Sequence, residues 1–196
     1  MATNRIGRWL IGLRAAGMTL SFALLAGPLP AAATAAGDNA AMPAQWRSQK
    51  LEFNYMALTA FYTCDGIESK VRLILLTLGA RNDAKVQAVA CDRASNKPEK
   101  IAWVKAEFST LVPAADGAAP KDTVQAAWST VLLAPNRPTE MGTGECELLD
   151  QMRPMIEKGF TMRNTAYHAN CVPKQISVGD YSLRSDVLRL VTPIAN

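Results

Sequence analysis

The chain has 196 residues, 49% of them hydrophobic and 19% charged, enough apolar surface to bury a core in one or two small domains and too much for a disordered chain. Its only long uncharged apolar stretch lies at the N-terminus, which excludes a multi-span membrane protein. The formal net charge of +4 points toward an acidic partner only until the first segment is read.

Residues 1–36 read as a secretory signal peptide. Arg5, Arg8 and Arg14 form a basic head, Ala15 to Leu25 an apolar stretch, and Ala31 to Ala36 a tract of small residues after Pro28 and Pro30. Cleavage is expected near Ala35 or Ala36, which implies a bacterial periplasmic or secreted protein. The alternative is an uncleaved anchor helix, for which 15–36 is long enough. No cysteine follows the apolar stretch and no arginine pair precedes it, so neither lipid attachment nor twin-arginine export is indicated. Removing the segment takes three of the 21 basic residues and none of the 17 acidic ones, leaving +1. The expected mature protein thus has no net-charge signal for nucleic acid, and without a further apolar span it has no stable membrane insertion.

Residues 37–45 are expected to be a flexible mature N-terminus, followed by a first unit over 46–113. Trp46 to Phe53 is strand-like, and 54–63 is irregular. Asp65, with Glu68 three residues later, has the form of a helix capping box. Ile67, Val71, Ile74, Leu75 and Leu78 recur at helical spacing up to Gly79, which supplies a stop. Lys85 to Ala90 is a short strand, and 92–100, with Asn96-Lys97-Pro98, is a loop. Ala102, Val104, Ala106 and Phe108 then alternate with Trp103, Lys105, Glu107 and Ser109, the period of a half-buried strand. A linker covers 114–127, and a second unit over 128–193 repeats the order: a strand at Ala127 to Ala134, a helix at Gly144 to Lys158, strands at Thr161 to Ala169 and Leu183 to Val191, and a tail at 194–196. Pro154 predicts a kink or break in the second helix near Arg153.

The two units share spacings. Trp46 precedes Cys64 by 18 positions as Trp128 precedes Cys146, and Gly79 precedes Cys91 by 12 as Gly159 precedes Cys171. Leu111-Val112-Pro113 lies as far beyond Cys91 as Val191-Thr192-Pro193 beyond Cys171. Chance is the alternative to a degenerate duplication, since the intervening identities are poor. An even number of exported cysteines argues for two disulfides, with three possible pairings. If the duplication is real, bridges internal to each unit follow: Cys64 to Cys91 and Cys146 to Cys171. The fold class is then α+β: two tandem degenerate β-α-β-β units sharing a mixed sheet covered by two helices. Two separate small sheets, each with one helix, form the second possibility.

The run Tyr62-Thr63-Cys64-Asp65-Gly66-Ile67-Glu68-Ser69-Lys70-Val71, with Leu76-Thr77-Leu78-Gly79-Ala80-Arg81 and Cys91, resembles a group of small exported, disulfide-containing, uncharacterised proteobacterial proteins. Gly144-Glu145-Cys146-Glu147-Leu148 and Asn170-Cys171-Val172-Pro173 resemble the second half of that pattern. The resemblance implies an exported location and carries no activity, cofactor or catalytic residue.

Chemistry is sparsely signalled. One histidine, His168, cannot build an H-E-x-x-H metal site, and no G-x-S-x-G elbow, C-x-x-C pair or phosphate-binding glycine loop occurs. Acidic groups at the two helix starts, Asp65 with Glu68 and Glu145 with Glu147 and Asp150, are explained as well by helix capping as by acid and base work. Catalytic residues therefore stay unknown, and no metal or cofactor is expected. The reading is a non-catalytic periplasmic or secreted binding or structural domain with an unknown protein or small-molecule partner. The alternative is a small envelope enzyme with a carboxylate- or His168-based site between the units.

Overall fold

The computed structural model describes residues 40–95, 97–115, 117, 119, 122–172 and 180–191. The expected signal peptide, residues 37–39 of the expected flexible N-terminus and the 194–196 tail lie outside them.

Eight main elements follow one another: β1 (Met42–Met56), α1 (Cys64–Thr77), β2 (Lys85–Val89), β3 (Ile101–Pro113), β4 (Val124–Leu133), α2 (Cys146–Gly159), β5 (Met162–Asn170) and β6 (Asp180–Leu190). The chain is α+β, with one six-stranded sheet in the order β2-β3-β1-β4-β6-β5. Every paired neighbour is antiparallel, so the expected mixed sheet is corrected to an antiparallel one. The strands on either side of each helix do run parallel, as a β-α-β crossover demands, but the third strand inserts between them and pairs with both. β1 and β4 pair only from Met42 to Ala44, at the start of each strand, so the two three-stranded halves diverge from a short seam.

Local chemistry accounts for most boundaries. Along β3, Ala102, Val104, Ala106 and Phe108 are buried while Trp103, Lys105 and Glu107 face out, the alternation the sequence carries. Thr63, not Asp65, caps α1: its Oγ1 accepts from the Gly66 amide at 3.0 Å. At the other end the Ala80 amide reaches the Leu75 carbonyl and the Gly79 amide that of Leu76, a paired cap that Gly79 permits by its positive φ of 94°. α2 runs on through Pro154, so of the expected kink or break the break does not occur: burial of Leu148, Leu149, Met152, Met155 and Ile156 outweighs the one missing amide donor. A 3-10 turn, Thr143–Glu145, leads directly into it.

Two strands start earlier than expected. Met42 to Gln45 belong to β1 rather than to a flexible terminus, and Val124 to Ala126 belong to β4 rather than to the linker, because Met42 to Ala44 pair with Val124 to Ala126 across the seam. Register also separates one of the matched spacings: Trp46 faces Leu111 across β3, whereas Trp128 faces Leu188 across β6, three residues before Val191.

Both helices pack into one core with the inner face of the sheet, including Tyr55, Ile67, Ile74, Val104, Leu133, Leu149, Ile156 and Tyr181. A smaller apolar cluster of Ala44, Leu111, Ala126 and Leu188 sits at the seam, with Trp46 and Trp128 packed against it. The halves also close one another's helix ends. Thr110 Oγ1 of β3 donates to the Gly159 carbonyl at 3.0 Å, and Arg189 of β6 donates to the Thr77 carbonyl, satisfying acceptors that a helix terminus leaves open.

Candidate functional site

All four cysteines are paired. Cys64 is bonded to Cys91 with Cα atoms 6.0 Å apart, and Cys146 to Cys171 at 5.6 Å. The topology explains the pairing: each helix begins with a cysteine, and the strand that follows it, parallel to the strand before it, ends one or two residues before the second cysteine, which returns to the helix start. Cys64 and Cys146 are buried against the core, which suits staples rather than redox centres.

The acidic residues at the helix starts do structural work of two kinds. Asp65 and Glu68 bind Arg93, and Glu68 Oε1 also accepts the Ala88 amide at 2.6 Å while the Ala88 carbonyl accepts from Arg93. These contacts occupy the backbone groups of Ala88 that β2, the last strand on its side, turns away from β3, blunting an edge that could otherwise recruit another strand.

Glu145 and Glu147 instead lie between the halves, each only 6% exposed. Glu147 Oε2 gathers the amides of Leu58, Thr59 and Ala60 at 3.0 to 3.5 Å, and Glu145 takes the Gly142 amide at 2.5 Å and Lys70 Nζ at 2.8 Å. Gln151 clamps Met56 through both its backbone groups, at 2.8 and 3.0 Å. Around them, burial pushes the hydroxyls of Tyr55, Tyr62 and Tyr181 up from their ordinary range, and the Glu145 charge adds to it in all three. Tyr55 donates to the Ala60 carbonyl and Tyr181 to that of Gly142. This network fastens the β1–α1 loop of one half to the start of α2 in the other. Asp150 accepts from Tyr167 of β5 at 2.7 Å.

His168 stands on β5, at the end of the sheet remote from the seam. Its side chain is 61% exposed, with Nε2 3.9 Å from Asp180. Among the described residues its ion-pair partner is Asp180, and no ion pair joins it to Glu145 or Glu147.

The outer face of the sheet, turned away from the helices, differs between the halves. In the second half, Arg163 lies over the Trp128 ring at 4.5 Å and pairs with Asp186, which also accepts from Thr130 at 2.6 Å and Asn164 at 2.8 Å. Those hydrogen bonds, with Arg163 beside them, hold the Asp186 carboxyl below its usual range.

The first half instead exposes large apolar groups at the end of β1 and the start of β3: Met56 at 52%, Ile101 at 54% and Trp103 at 42%. Leu58 and Phe61 are also exposed, on the following loop, which is tied to the segment just before β3 by the Ala57 amide on the Lys100 carbonyl and the Glu99 amide on that of Tyr62. Toward the other end of the strands the same face turns charged, with Lys50 paired to Glu107 at 2.9 Å and Glu52 opposite Lys105. Sequence reasoning passed over this surface. Its signal was Trp103 on the polar side of the β3 alternation, a place where a half-exposed sheet normally puts a hydrophilic residue.

Among the described residues no group of three or more potential ligands could hold a metal ion, and no helix is long and apolar enough to cross a membrane. No family model, curated protein or solved structure matches the chain.

Proposed function

We propose that the chain is an exported, disulfide-stapled, non-catalytic binding domain of the bacterial periplasm or secreted fraction, made by a degenerate tandem duplication and related to the small proteobacterial proteins it resembles. The observation that carries the binding reading is the exposed apolar surface of Met56, Ile101 and Trp103 with Leu58 and Phe61, because a contiguous apolar patch on an antiparallel sheet marks a contact surface. Two bridges fit an oxidising compartment. The alternative enzyme reading draws no support from His168 or from Glu145 and Glu147, the first being an exposed side chain beside Asp180 and the others buried under structural partners.

A photo-crosslinking residue at Trp103, compared with one at exposed Lys158 on α2, tests the reading in cells that export the protein. A discrete adduct at 103 and none at 158 is expected. Equal labelling at both positions, or none at either, would refute a dedicated surface. Sequencing the N-terminus of the exported protein checks the address: it should fall between Ala32 and Asn39, and recovery of intact 1–25 in membranes would favour the anchor.

A further inference from the structure

The outer face of β1 and β3 is complementary to itself, and we infer that its partner is a second copy of this chain, docked about a two-fold axis running along the strands between β1 and β3. The inference rests on the binding-surface reading above and names the occupant of that surface. Cross-strand register sets the rows: Lys50 beside Glu107, Glu52 beside Lys105, Asn54 beside Trp103 and Met56 beside Ile101.

A two-fold axis along the strands exchanges the two members of each row. Lys50 then faces the partner copy's glutamate, Glu52 faces its lysine, and Met56 faces its isoleucine. Both charged rows meet with opposite signs and the apolar row meets an apolar row, with sheets packed in the aligned manner of a β-sandwich. The same operation leaves strand direction unchanged, so the Leu58 and Phe61 loops of both copies gather at one end and enlarge the apolar contact. An axis across the strands, centred on this face, would instead set the apolar end of one copy on the charged end of the other.

Trp103 carries Lys105 Nζ 5.0 Å above its ring yet stays 42% exposed, whereas Trp128 under Arg163 is only half-buried, and the exposed apolar residues of the second half, Leu190 and Val191, stand at and just beyond the end of β6 without opposed charged rows beside them. Pairing through the edge of β2 is opposed by the Glu68 and Arg93 contacts on Ala88. Two strands of this length plus the loop project roughly 10 by 30 Å, well short of the ~800 Å² per partner of a standard interface, so the dimer is weak and concentration-dependent.

Sedimentation velocity on the oxidised, exported protein between about 5 µM and about 1 mM reads this directly. The weight-average mass is expected to climb toward twice the monomer. Trp103→Ser should abolish the climb, and Lys50→Glu should weaken it by about fivefold or more, because one charged row then repels. Lys50→Glu combined with Glu107→Lys restores opposite signs across the axis and should recover dimerisation, with near-UV circular dichroism confirming that each variant is folded.

Mass that stays monomeric over the whole range overturns the inference, as does association indifferent to Trp103→Ser and to the charge swap. A monomer that nevertheless crosslinks from position 103 to a different protein or to lipid overturns the self-pairing while leaving the binding-domain reading intact. A monomer with no adduct at 103 removes both.

Discussion

The acid that follows the first cysteine is used in opposite ways by the two halves. In the first half it is Asp65, 77% exposed and paired with Arg93 beside the edge strand. In the second it is Glu147, 6% exposed, reaching into the other half to three amides of the β1–α1 loop, at the far end of β1 from the seam. Three residues further on, Glu68 and Asp150 behave alike, each binding the strand that follows its own helix. The same β-α-β-β order thus serves an outer role in one half and a joining role in the other. Elements and bridges tolerate equivalence, but a single shared core does not: whichever half supplies the polar contacts between the halves must bury them.

The largest expected effects concern the bridges, where the halves should match. They close loops of 27 and 25 residues, so chain-entropy reasoning gives each about 3.5 kcal/mol. Double serine variants at Cys64 and Cys91, and at Cys146 and Cys171, should lower urea-unfolding stability by similar amounts in a single transition. Two separate transitions would show that the halves do not share a cooperative core.

Replacing the divergent acids should separate the halves. Glu147→Ala leaves three amides without their buried acceptor and should cost about 3 kcal/mol, since hydrogen bonds to charged groups are worth more than neutral ones. Asp65→Ala removes an exposed ion pair and spares the true cap at Thr63, so thermal unfolding should be unchanged within error. A large loss at Asp65 would mean that the edge-strand contacts, not those between the halves, limit stability.

The matched glycines sharpen the comparison at a smaller scale. Gly79 is needed for its positive φ and lies against the Leu188 backbone, where an added Cβ would come within 3.1 Å of the carbonyl oxygen. Gly159 has no such backbone requirement, but a Cβ there would meet Leu51 Cδ1 at 2.8 Å and Phe108 at 3.1 Å. Each change to alanine should cost roughly 1 to 2 kcal/mol. Adding Leu51→Ala should recover part of the loss at Gly159 and none at Gly79, and a double-mutant cycle in urea tests this. Coupling at both sites would indicate one shared cause.

These glycines also show how far the sequence could be read. Their spacing from cysteine is visible in the chain, and so is the helix stop at Gly79, whereas the reason Gly159 is glycine depends on Leu51 and Phe108 of the other half lying against it. Periodicity likewise places Ala102 to Phe108 in a strand with the correct inward side, because burial on one face is written residue by residue. It carries nothing about neighbours, so the insertion of β3 between β1 and β2, and with it the antiparallel sheet, depended on pairing between distant segments. Glu147 looked like a capping residue because local sequence contains the helix start but not the loop, 87 positions away or more, that it binds. Trp103 was legible as outward-facing, and only the register that sets Met56 beside Ile101 in the next row makes it part of a surface.

The smallest effect is invisible at neutral pH. All four tyrosines of the chain, Tyr55 and Tyr62 in the first half and Tyr167 and Tyr181 in the second, have hydroxyls pushed above their ordinary range, chiefly by burial. A raised value in the folded state means that the unfolded chain releases these protons first. The stability tied to them is complete below about pH 10, the unfolded value, and is lost as pH rises above it toward the folded values. Tyrosinate absorbance should therefore stay low through pH 10 and then rise together with the loss of near-UV circular dichroism. Tyr62→Phe tests the half that contributes the hydroxyl with no partner among the described residues: it removes a proton to lose without removing a hydrogen bond, so it should shift the alkaline midpoint upward. Tyr167→Phe breaks the contact to Asp150 as well, and its gain at high pH should be offset by a loss at all pH values. Early titration of any one tyrosine in the folded protein would place that side chain in contact with solvent and remove it from the buried network.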